Sequence, residues 1–252
     1  MKPFCFSLSG IYTEEGYAWE QTGNVWDLTM LRGTDGYLDP ETECVLEKEL
    51  VVKKEMRELP RIRFLDSGNY HYLSKLLLGL EKDDLFLIVF DHHTDMQPPA
   101  LLPVLSCGSW IRDAANAYGN IKGICVIGPP EASVRETEKL EHVWFVTQEE
   151  LNAESGPAKM KEIIGAHAGE LPVYLSVDQD ILSKEELDTN WDQGNVCLEK
   201  LFFLSDLCLE GRKVIAVDLC GEPAPHAMEA LCKKASCVNQ KLYEYFLKKI
   251  ED

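Results

Sequence analysis

A run of six apolar residues passes directly into a cluster of acids and histidines in residues 85–95, which read LFLIVFDHHTD. The apolar part, Leu85–Phe90, does not alternate with polar residues, which is typical of a strand covered on both faces within a parallel sheet. Polar side chains therefore begin where this strand ends. Functional residues of open parallel sheets gather at the carboxyl ends of the strands, so this junction is the first candidate site.

Similar short apolar runs recur along the chain, and stretches with helical spacing separate them. The predicted strands are 62–65, Leu85–Phe90, 123–127, Val143–Val146, 172–177 and 213–218, with an edge strand at 4–8. The predicted helices are 40–56, 70–80, 159–168, 196–209 and 228–250, and residues 23–37 are expected to form a long loop. The alternation predicts an α/β fold, a three-layer α/β/α sandwich with a mostly parallel sheet. Because no Pro/Gly/Ser-rich linker divides the chain, residues 1–252 are expected to form a single domain.

Composition restricts the partners of the chain. Its 252 residues include 43 acidic and 25 basic side chains, which gives a formal charge of −18. Such a surface repels nucleic-acid phosphates and anionic lipids, so we expect a small-molecule partner and neither nucleic acid nor a membrane. The N-terminus lacks the pattern of a signal peptide. The nine cysteines, an odd number without a C-x-x-C pair, indicate reduced thiols and a cytoplasmic protein.

The first polar cluster favours a metal site. Side chains of an extended segment alternate between faces, so Asp91, His93 and Asp95 are expected to point in one direction. Two carboxylates facing the same way repel each other and lose hydration unless a positive charge lies between them, and a divalent metal supplies that charge. The alternative is a polar turn in which Asp91 caps a helix.

A second cluster repeats this arrangement after the strand predicted at 172–177. Asp178 and Asp180 are separated by one residue and share a face. Together the clusters offer four carboxylates and an imidazole, a charge that balances two divalent ions. Oxygen-rich ligation with some imidazole suits Mn²⁺ better than thiolate-preferring ions, although other divalent metals accept the same donors.

These two motifs carry a resemblance to a known family. Residues 91–95, DHHTD, resemble the Asp-Ala-His-x-Asp signature of the arginase, agmatinase and formiminoglutamase family, the ureohydrolases. Residues 176–180, SVDQD, resemble the family's Ser-x-Asp-x-Asp signature. Residues 67–71, 189–194 and 216–225 match weaker family motifs in the correct order, so the resemblance extends over roughly residues 60–250.

The resemblance implies an arginase-like fold and a binuclear manganese centre, with two ions per chain. One ion would be held by His71, Asp91, Asp95 and Asp178. The other would be held by Asp91, His93, Asp178 and Asp180. Water activated by the metals would attack an sp² carbon that carries nitrogen. The resemblance also allows assembly into a homo-oligomer.

Further roles are expected from the same resemblance and from position along the chain. Asp180 would assist proton movement to the leaving nitrogen, and Glu222, expected near the mouth of the site, would pair with a cationic guanidinium. His92 has two interpretations, a proton shuttle or a buried histidine without a catalytic role. Ser109 and Trp191 lie in segments expected to contact the substrate, although an aromatic cap packed on the sheet explains Trp191 equally well.

The leading hypothesis is a binuclear manganese hydrolase that cleaves a linear C–N bond, other than a peptide bond, in a guanidino- or amidino-type molecule. A second hypothesis keeps the fold but uses a single zinc ion, as in deacetylase-like amidohydrolases. In that case His71 and Asp95 would not be needed as ligands. A third hypothesis is a metal-binding protein without catalytic activity.

Overall fold

A sheet of eight strands forms the centre of the computed structural model, which describes residues 3–14, 16–17, 24–98 and 104–251. The strands, in chain order, are β1 (Phe4–Ser7), β2 (Asn24–Asp27), β3 (Tyr37–Leu38), β4 (Ile62–Phe64), β5 (Leu85–Phe90), β6 (Leu105–Ser106), β7 (Ile121–Ile127), β8 (Val143–Val146), β9 (Val173–Asp178) and β10 (Val214–Cys220). Their order in the central sheet is β2-β1-β4-β10-β9-β5-β7-β8, with parallel pairing throughout, while β3 and β6 form a small antiparallel pair.

Helices connect the strands and cover the sheet. They are α1 (Pro40–Glu55), α2 (Leu73–Leu78), α3 (Trp110–Ala117), α4 (Glu131–Glu136), α5 (Gln148–Asn152), α6 (Gly156–Ala168), α7 (Leu198–Leu209) and α8 (Glu229–Glu251). The five predicted helices are present, but the one predicted at 70–80 is shorter, because a 3-10 turn at Gly68–Tyr70 precedes α2. The sequence analysis missed α3, α4 and α5, which are too short to show clear periodicity.

Side chains of β5 show how the layers form. Phe86, Ile88 and Phe90 belong to one buried apolar cluster, while Leu85, Leu87 and Val89 belong to the other. The two clusters therefore lie on opposite faces of the sheet, as the two-residue period of a strand requires. Helices α6, α7 and α8 contribute to the first cluster and α1, α2 and α3 to the second. The predicted three-layer α/β/α fold is confirmed.

The N-terminal part of the sheet differs from the prediction. Strand β1 pairs with β4 on one side and with β2 on the other, so the prediction that residues 4–8 form an edge strand was wrong. The edge is β2, which lies within the loop predicted at 23–37; residue 23 itself lies outside the described residues. The four residues of β2 are exposed or half-buried, and so short a run carries little signal.

Parallel pairing brings the two acidic clusters to the same end of the sheet. Strand β9 lies next to β5, and Phe90 is opposite Val177 in their register. Asp91 directly follows Phe90, and Asp178 directly follows Val177, so both aspartates lie at the carboxyl ends of neighbouring strands.

None of the helices in the described part of the chain has the length and apolar character that a membrane span requires.

Candidate metal centre

Two groups of potential metal ligands lie at the carboxyl ends of β5 and β9. The inner group consists of His71, Asp91 and Asp178, and the outer group of Asp91, His93 and Asp180. In each group one ligand atom per residue lies within 4.8 Å of the others. Asp91 belongs to both groups, so the two potential cation positions are adjacent.

The inner group is completely buried. The Nδ1 atom of His71 lies 3.2 Å from Asp91 Oδ2, 3.2 Å from Asp95 Oδ2 and 3.4 Å from Asp178 Oδ2. His71 follows the 3-10 turn at Gly68–Tyr70, which turns its side chain towards the strand ends. Three carboxylates thus converge on one imidazole nitrogen.

A chain of buried polar side chains supports His71 from behind. Its Nε2 atom lies 2.8 Å from Ser176 Oγ, which lies 3.1 Å from Ser74 Oγ. Ser74 donates to Asp218 Oδ2 at 3.0 Å, and Asp218 forms an ion pair with Arg63 at 2.8 Å. With Nε2 occupied by Ser176, the Nδ1 atom remains available to the carboxylates. Such partners fix the ring orientation of histidines that bind metals.

The outer group lies closer to solvent. His93 Nδ1 lies 2.9 Å from Asp180 Oδ2 and 3.5 Å from Asp91 Oδ1. Its Nε2 atom lies 3.0 Å from Asp192 Oδ1, on the segment between β9 and α7. The His93 side chain is 30% exposed and that of Asp192 is 78% exposed. The Nε2 atom of His93 is therefore supported from the solvent side, whereas that of His71 is supported from within the core.

Backbone geometry holds the carboxylates in place. The amide of His93 donates to Asp91 Oδ1 at 2.6 Å, and the amide of Asp180 donates to Asp178 Oδ1 at 3.0 Å. Gly221 packs against Asp178 with φ of 101°, and a Cβ atom there would collide with that carboxylate and with the backbone of Gln179. This position therefore needs glycine.

The buried carboxylates of this region outnumber the imidazoles that could balance their negative charge. Burial alone would lower the pKa of His71, but the carboxylates of Asp91 and Asp95 raise it well above its usual range. Burial raises the pKa of Asp178 to about 6 and that of Asp95 to about 7, and the charge of Asp91 adds to both effects. The pKa of Asp180 is also raised, by burial and then by Asp178. The two imidazoles do not fully stabilise four buried carboxylates.

This charge and two buried atoms fit a divalent cation. His71 Nδ1 and Asp91 Oδ2 are buried and lie 3.2 Å apart, but neither forms a hydrogen bond of acceptable geometry. Buried polar atoms without partners are costly, and metal ligation satisfies them. The donors are carboxylate oxygens and imidazole nitrogens, which suit Mn²⁺ and similar divalent ions.

Asp95 is close to the inner group but has a second partner. Its Oδ2 atom accepts a hydrogen bond of 2.6 Å from Trp110 Nε1, and Trp110 is completely buried. The backbone of Asp95 is left-handed, with φ of 47°, so the chain is no longer extended at this residue. Asp95 therefore reaches the site by a turn and not by continued alternation.

A cavity of about 290 Å³ opens over both groups. Asp91, His93, Asp95, Asp178 and Asp180 line its floor. Trp191 lines the wall, is 39% exposed and donates to Asn69 Oδ1 at 2.8 Å. The structure thus places Trp191 at the cavity, and its contact with a substrate stays a prediction.

Glu222 does not lie where it was expected. It is completely buried, does not line the cavity, and accepts hydrogen bonds of 2.6 Å from Tyr17 and from Asn239. Burial raises its pKa to about 7. Its expected position at the mouth, and with it an ion pair to a substrate, is corrected: the carboxylate is already bound within the protein.

Ser109 and His92 do not line the cavity either. Ser109 is buried at the start of α3, where it donates to Asp113 at 2.9 Å, and the preceding residues Ser106–Gly108 line the cavity instead. His92 is buried and does not line the cavity, while its neighbour Thr94 does. The geometry favours the interpretation of His92 as a buried histidine without a shuttle role.

Asp192 is the residue of the site that sequence analysis did not assign. It follows Trp191 in a polar turn, and nothing in the sequence pairs it with His93, from which it is separated by 99 positions. Ser133 on α4 and the segment Ser106–Gly108 also line the cavity. Such contacts arise from the folded loops and leave no periodic signal.

Comparison with known proteins relates the segment that holds this site to a protein family. The model of the arginase family matches residues 69–189, which include all six residues proposed as metal ligands. An uncharacterised protein from Thermotoga maritima is 33% identical over 187 residues. The aligned part is 74% of this chain and 64% of that protein, so the chain spans less than two thirds of this relative.

Solved structures share the fold at low sequence identity. Proclavaminate amidino hydrolase from Streptomyces clavuligerus has a TM-score of 0.68 at 17% identity, covering 99% of this chain and 92% of that one. Agmatine ureohydrolase of Thermoplasma volcanium has a TM-score of 0.68 at 14% identity, covering 99% and 89%. Formimidoylglutamase from Bacillus subtilis has a TM-score of 0.68 at 15% identity, covering 99% and 87%. The arginase-family model thus matches the segment that holds the site, and the fold of the whole chain is shared with these structures.

Proposed function

We propose that this chain is a metal-dependent hydrolase that holds two divalent ions, preferentially Mn²⁺, and cleaves a linear C–N bond in a small guanidino or amidino compound. The observation that carries the proposal is the pair of ligand groups that share Asp91 at the floor of a cavity. The names of the similar structures, an amidino hydrolase, an agmatine ureohydrolase and a formimidoylglutamase, support the reaction class.

The ligand sets follow from the two groups. We assign His71, Asp91, Asp95 and Asp178 to the inner ion, since three carboxylates surround His71 Nδ1. We assign Asp91, His93, Asp178 and Asp180 to the outer ion, so that Asp91 and Asp178 serve both. Divalent ions bound there would lower the pKa of water and stabilise negative charge developing on the substrate.

The residues of the chain have distinct tasks in this proposal. The protein positions the reacting carbon by enclosing a compact substrate against the carboxylate floor, and Trp191 covers the cavity on the solvent side. Asp180 Oδ2, beside His93 Nδ1 at 2.9 Å, is the atom we assign to passing a proton to the leaving nitrogen. We assign no direct role to Glu222, Ser109 and His92, because none of the three lines the cavity.

Metal counting together with product release tests the proposal. The purified chain, dialysed against Mn²⁺ and then metal-free buffer, is expected to retain two ions by elemental analysis and to release urea or ammonia from a guanidino or amidino panel. Asp178→Asn should lower the metal content and reduce kcat/KM by at least about 10³-fold, since it removes a carboxylate that we assign to both ions. Asp188→Asn is the matched control, because Asp188 is an exposed residue paired with Lys184.

The other outcomes separate the remaining hypotheses. One zinc ion per chain with hydrolysis of acylamines would replace the proposal with a single-metal amidohydrolase. Two bound ions without any turnover would leave a metal-binding protein. Equal activity of Asp178→Asn and Asp188→Asn would contradict the assigned centre itself.

A further inference from the structure

The cavity over the candidate centre is strongly acidic. Four of its described lining residues are aspartates, and none is lysine or arginine. Residues 96–110, from which Gln97 and Ser106–Gly108 line the cavity, contain no basic residue in the sequence. Outside the described ranges, only Lys2 is basic. The loops beside the cavity thus offer little to bind a carboxylate.

Arginines in the neighbouring segments do not supply a positive charge to the cavity. Arg112 is bound to Glu138 at 3.0 Å, and Arg135 is bound to Glu131 at 2.7 Å. Arg32 is exposed, and none of these arginines lines the cavity. The formal charge of −18 on the whole chain adds to the negative potential around the cavity.

Two divalent ions would balance the four carboxylates of the floor but would leave no positive charge for the tail of a substrate. A carboxylate on that tail would lose hydration on entering and gain no ion pair in return. The remaining lining groups favour other chemistry. Ser106, Cys107 and Gln97 are neutral, and the indole of Trp191 at the wall attracts cations through its ring face.

The size of the cavity limits the substrate further. A volume of about 290 Å³ is at the lower end of the range for small-molecule sites, which is roughly 300–1,000 Å³. On the basis of the proposed function, we infer that the substrate is a compact guanidine or amidine without a carboxylate, with an uncharged or cationic tail. Amino-acid-type substrates are thereby rejected.

A matched pair of probes tests this inference on the Mn²⁺-loaded full chain. Butylguanidine and 4-guanidinobutanoate share the guanidine and three methylenes, and differ in a terminal methyl group against a carboxylate. 4-Guanidinobutylamine adds a cationic tail. Calorimetric titration should show at least 10-fold weaker binding of the carboxylate probe than of the other two, and kcat/KM should follow the same order where turnover occurs.

A charge introduced at the cavity sharpens the test. Gln97 lines the cavity and is exposed, so Gln97→Arg should bring the carboxylate probe to within about 3-fold of butylguanidine or reverse the order. Gln240→Arg places the same charge on the exposed surface of α8 and should change nothing. Discrimination should persist at 0.5 M salt, where the Debye length is only about 4 Å, because it arises from the lining and not from the total charge.

Several outcomes would overturn the inference: equal or tighter binding of 4-guanidinobutanoate by the unmodified chain, absence of binding by all three probes, or an effect of Gln240→Arg equal to that of Gln97→Arg. Failure of the proposed reaction would look different. The probes would then bind in the expected order without releasing urea, which would leave the binding preference established and the hydrolase disproved.

Discussion

The two ligand groups share Asp91 but are built in different ways. The inner group has His71 buried against Ser176, and behind it a chain of core side chains ends at the ion pair of Asp218 and Arg63. The outer group has His93, which is partly exposed and is held by the surface residue Asp192. The comparison teaches that one group depends on the stability of the core and the other on a single loop contact.

The largest expected effect concerns the inner support. Arg63→Met should lower the free energy of unfolding by about 3–5 kcal/mol, because it leaves the buried Asp218 carboxylate without its counter-charge. Denaturant unfolding of the metal-free chain measures this loss. Arg135→Met removes an exposed arginine of an ion pair and should cost less than about 1 kcal/mol. Similar losses in both variants would show that the inner group has no special dependence on the core.

An intermediate effect concerns Glu222, a buried carboxylate outside the cavity. Its pKa is raised by burial from 4.5 to about 7, so the protonated form stabilises the folded state. This contribution is fully present below about pH 4.5 and is lost as the pH rises through about 7, which amounts to on the order of 3 kcal/mol. Glu222→Gln should remove that part of the decrease in unfolding free energy between pH 5 and pH 8.

Chemical denaturation of the metal-free protein at both pH values measures this difference. Glu199→Gln, at an exposed position of α7, is the control and should retain the slope of the unmodified chain. If Glu222→Gln and Glu199→Gln keep the same slope, the carboxyl of Glu222 does not take up its proton on folding, and the pH dependence of stability comes from other groups.

The smallest expected effect concerns the outer support. Asp192→Asn removes the charge that orients His93, and outer partners of metal-binding histidines are typically worth 10- to 100-fold in metal affinity. Manganese titration should therefore show one weakened site and one unchanged site. Asp188→Asn, in the same loop region, should leave both affinities unchanged. Equal weakening at both sites would mean that the groups are not independently supported.

The sequence predicted the parts of this centre that follow from strand ends. Asp91 and Asp178 each follow or end an apolar run, and parallel pairing of neighbouring strands is sufficient to bring them together. The fold class followed from the same alternation of strands and helices. Strand β2 was missed because four partly exposed residues carry no clear pattern.

Contacts between distant loops could not be predicted in this way. Glu222 is held by Tyr17 and Asn239, and the Tyr17 contact spans 205 positions of the chain. Thr94 lines the cavity together with His93 and Asp95, which strict alternation does not allow, and the backbone is left-handed at Asp95. The two-residue alternation of side-chain directions holds within a strand but does not predict side-chain directions in the turn that follows.

The close packing of Gly221 against Asp178 has a use in comparing sequences. Any side chain at this position would displace a carboxylate that we assign to both ions, so proteins with the same centre are restricted to glycine there. Glycine at the position of Gly221, just before Glu222 and Pro225, can therefore be combined with the two aspartate motifs into a three-part sequence pattern. This pattern would separate arginase-family chains that retain this geometry from those that have lost it.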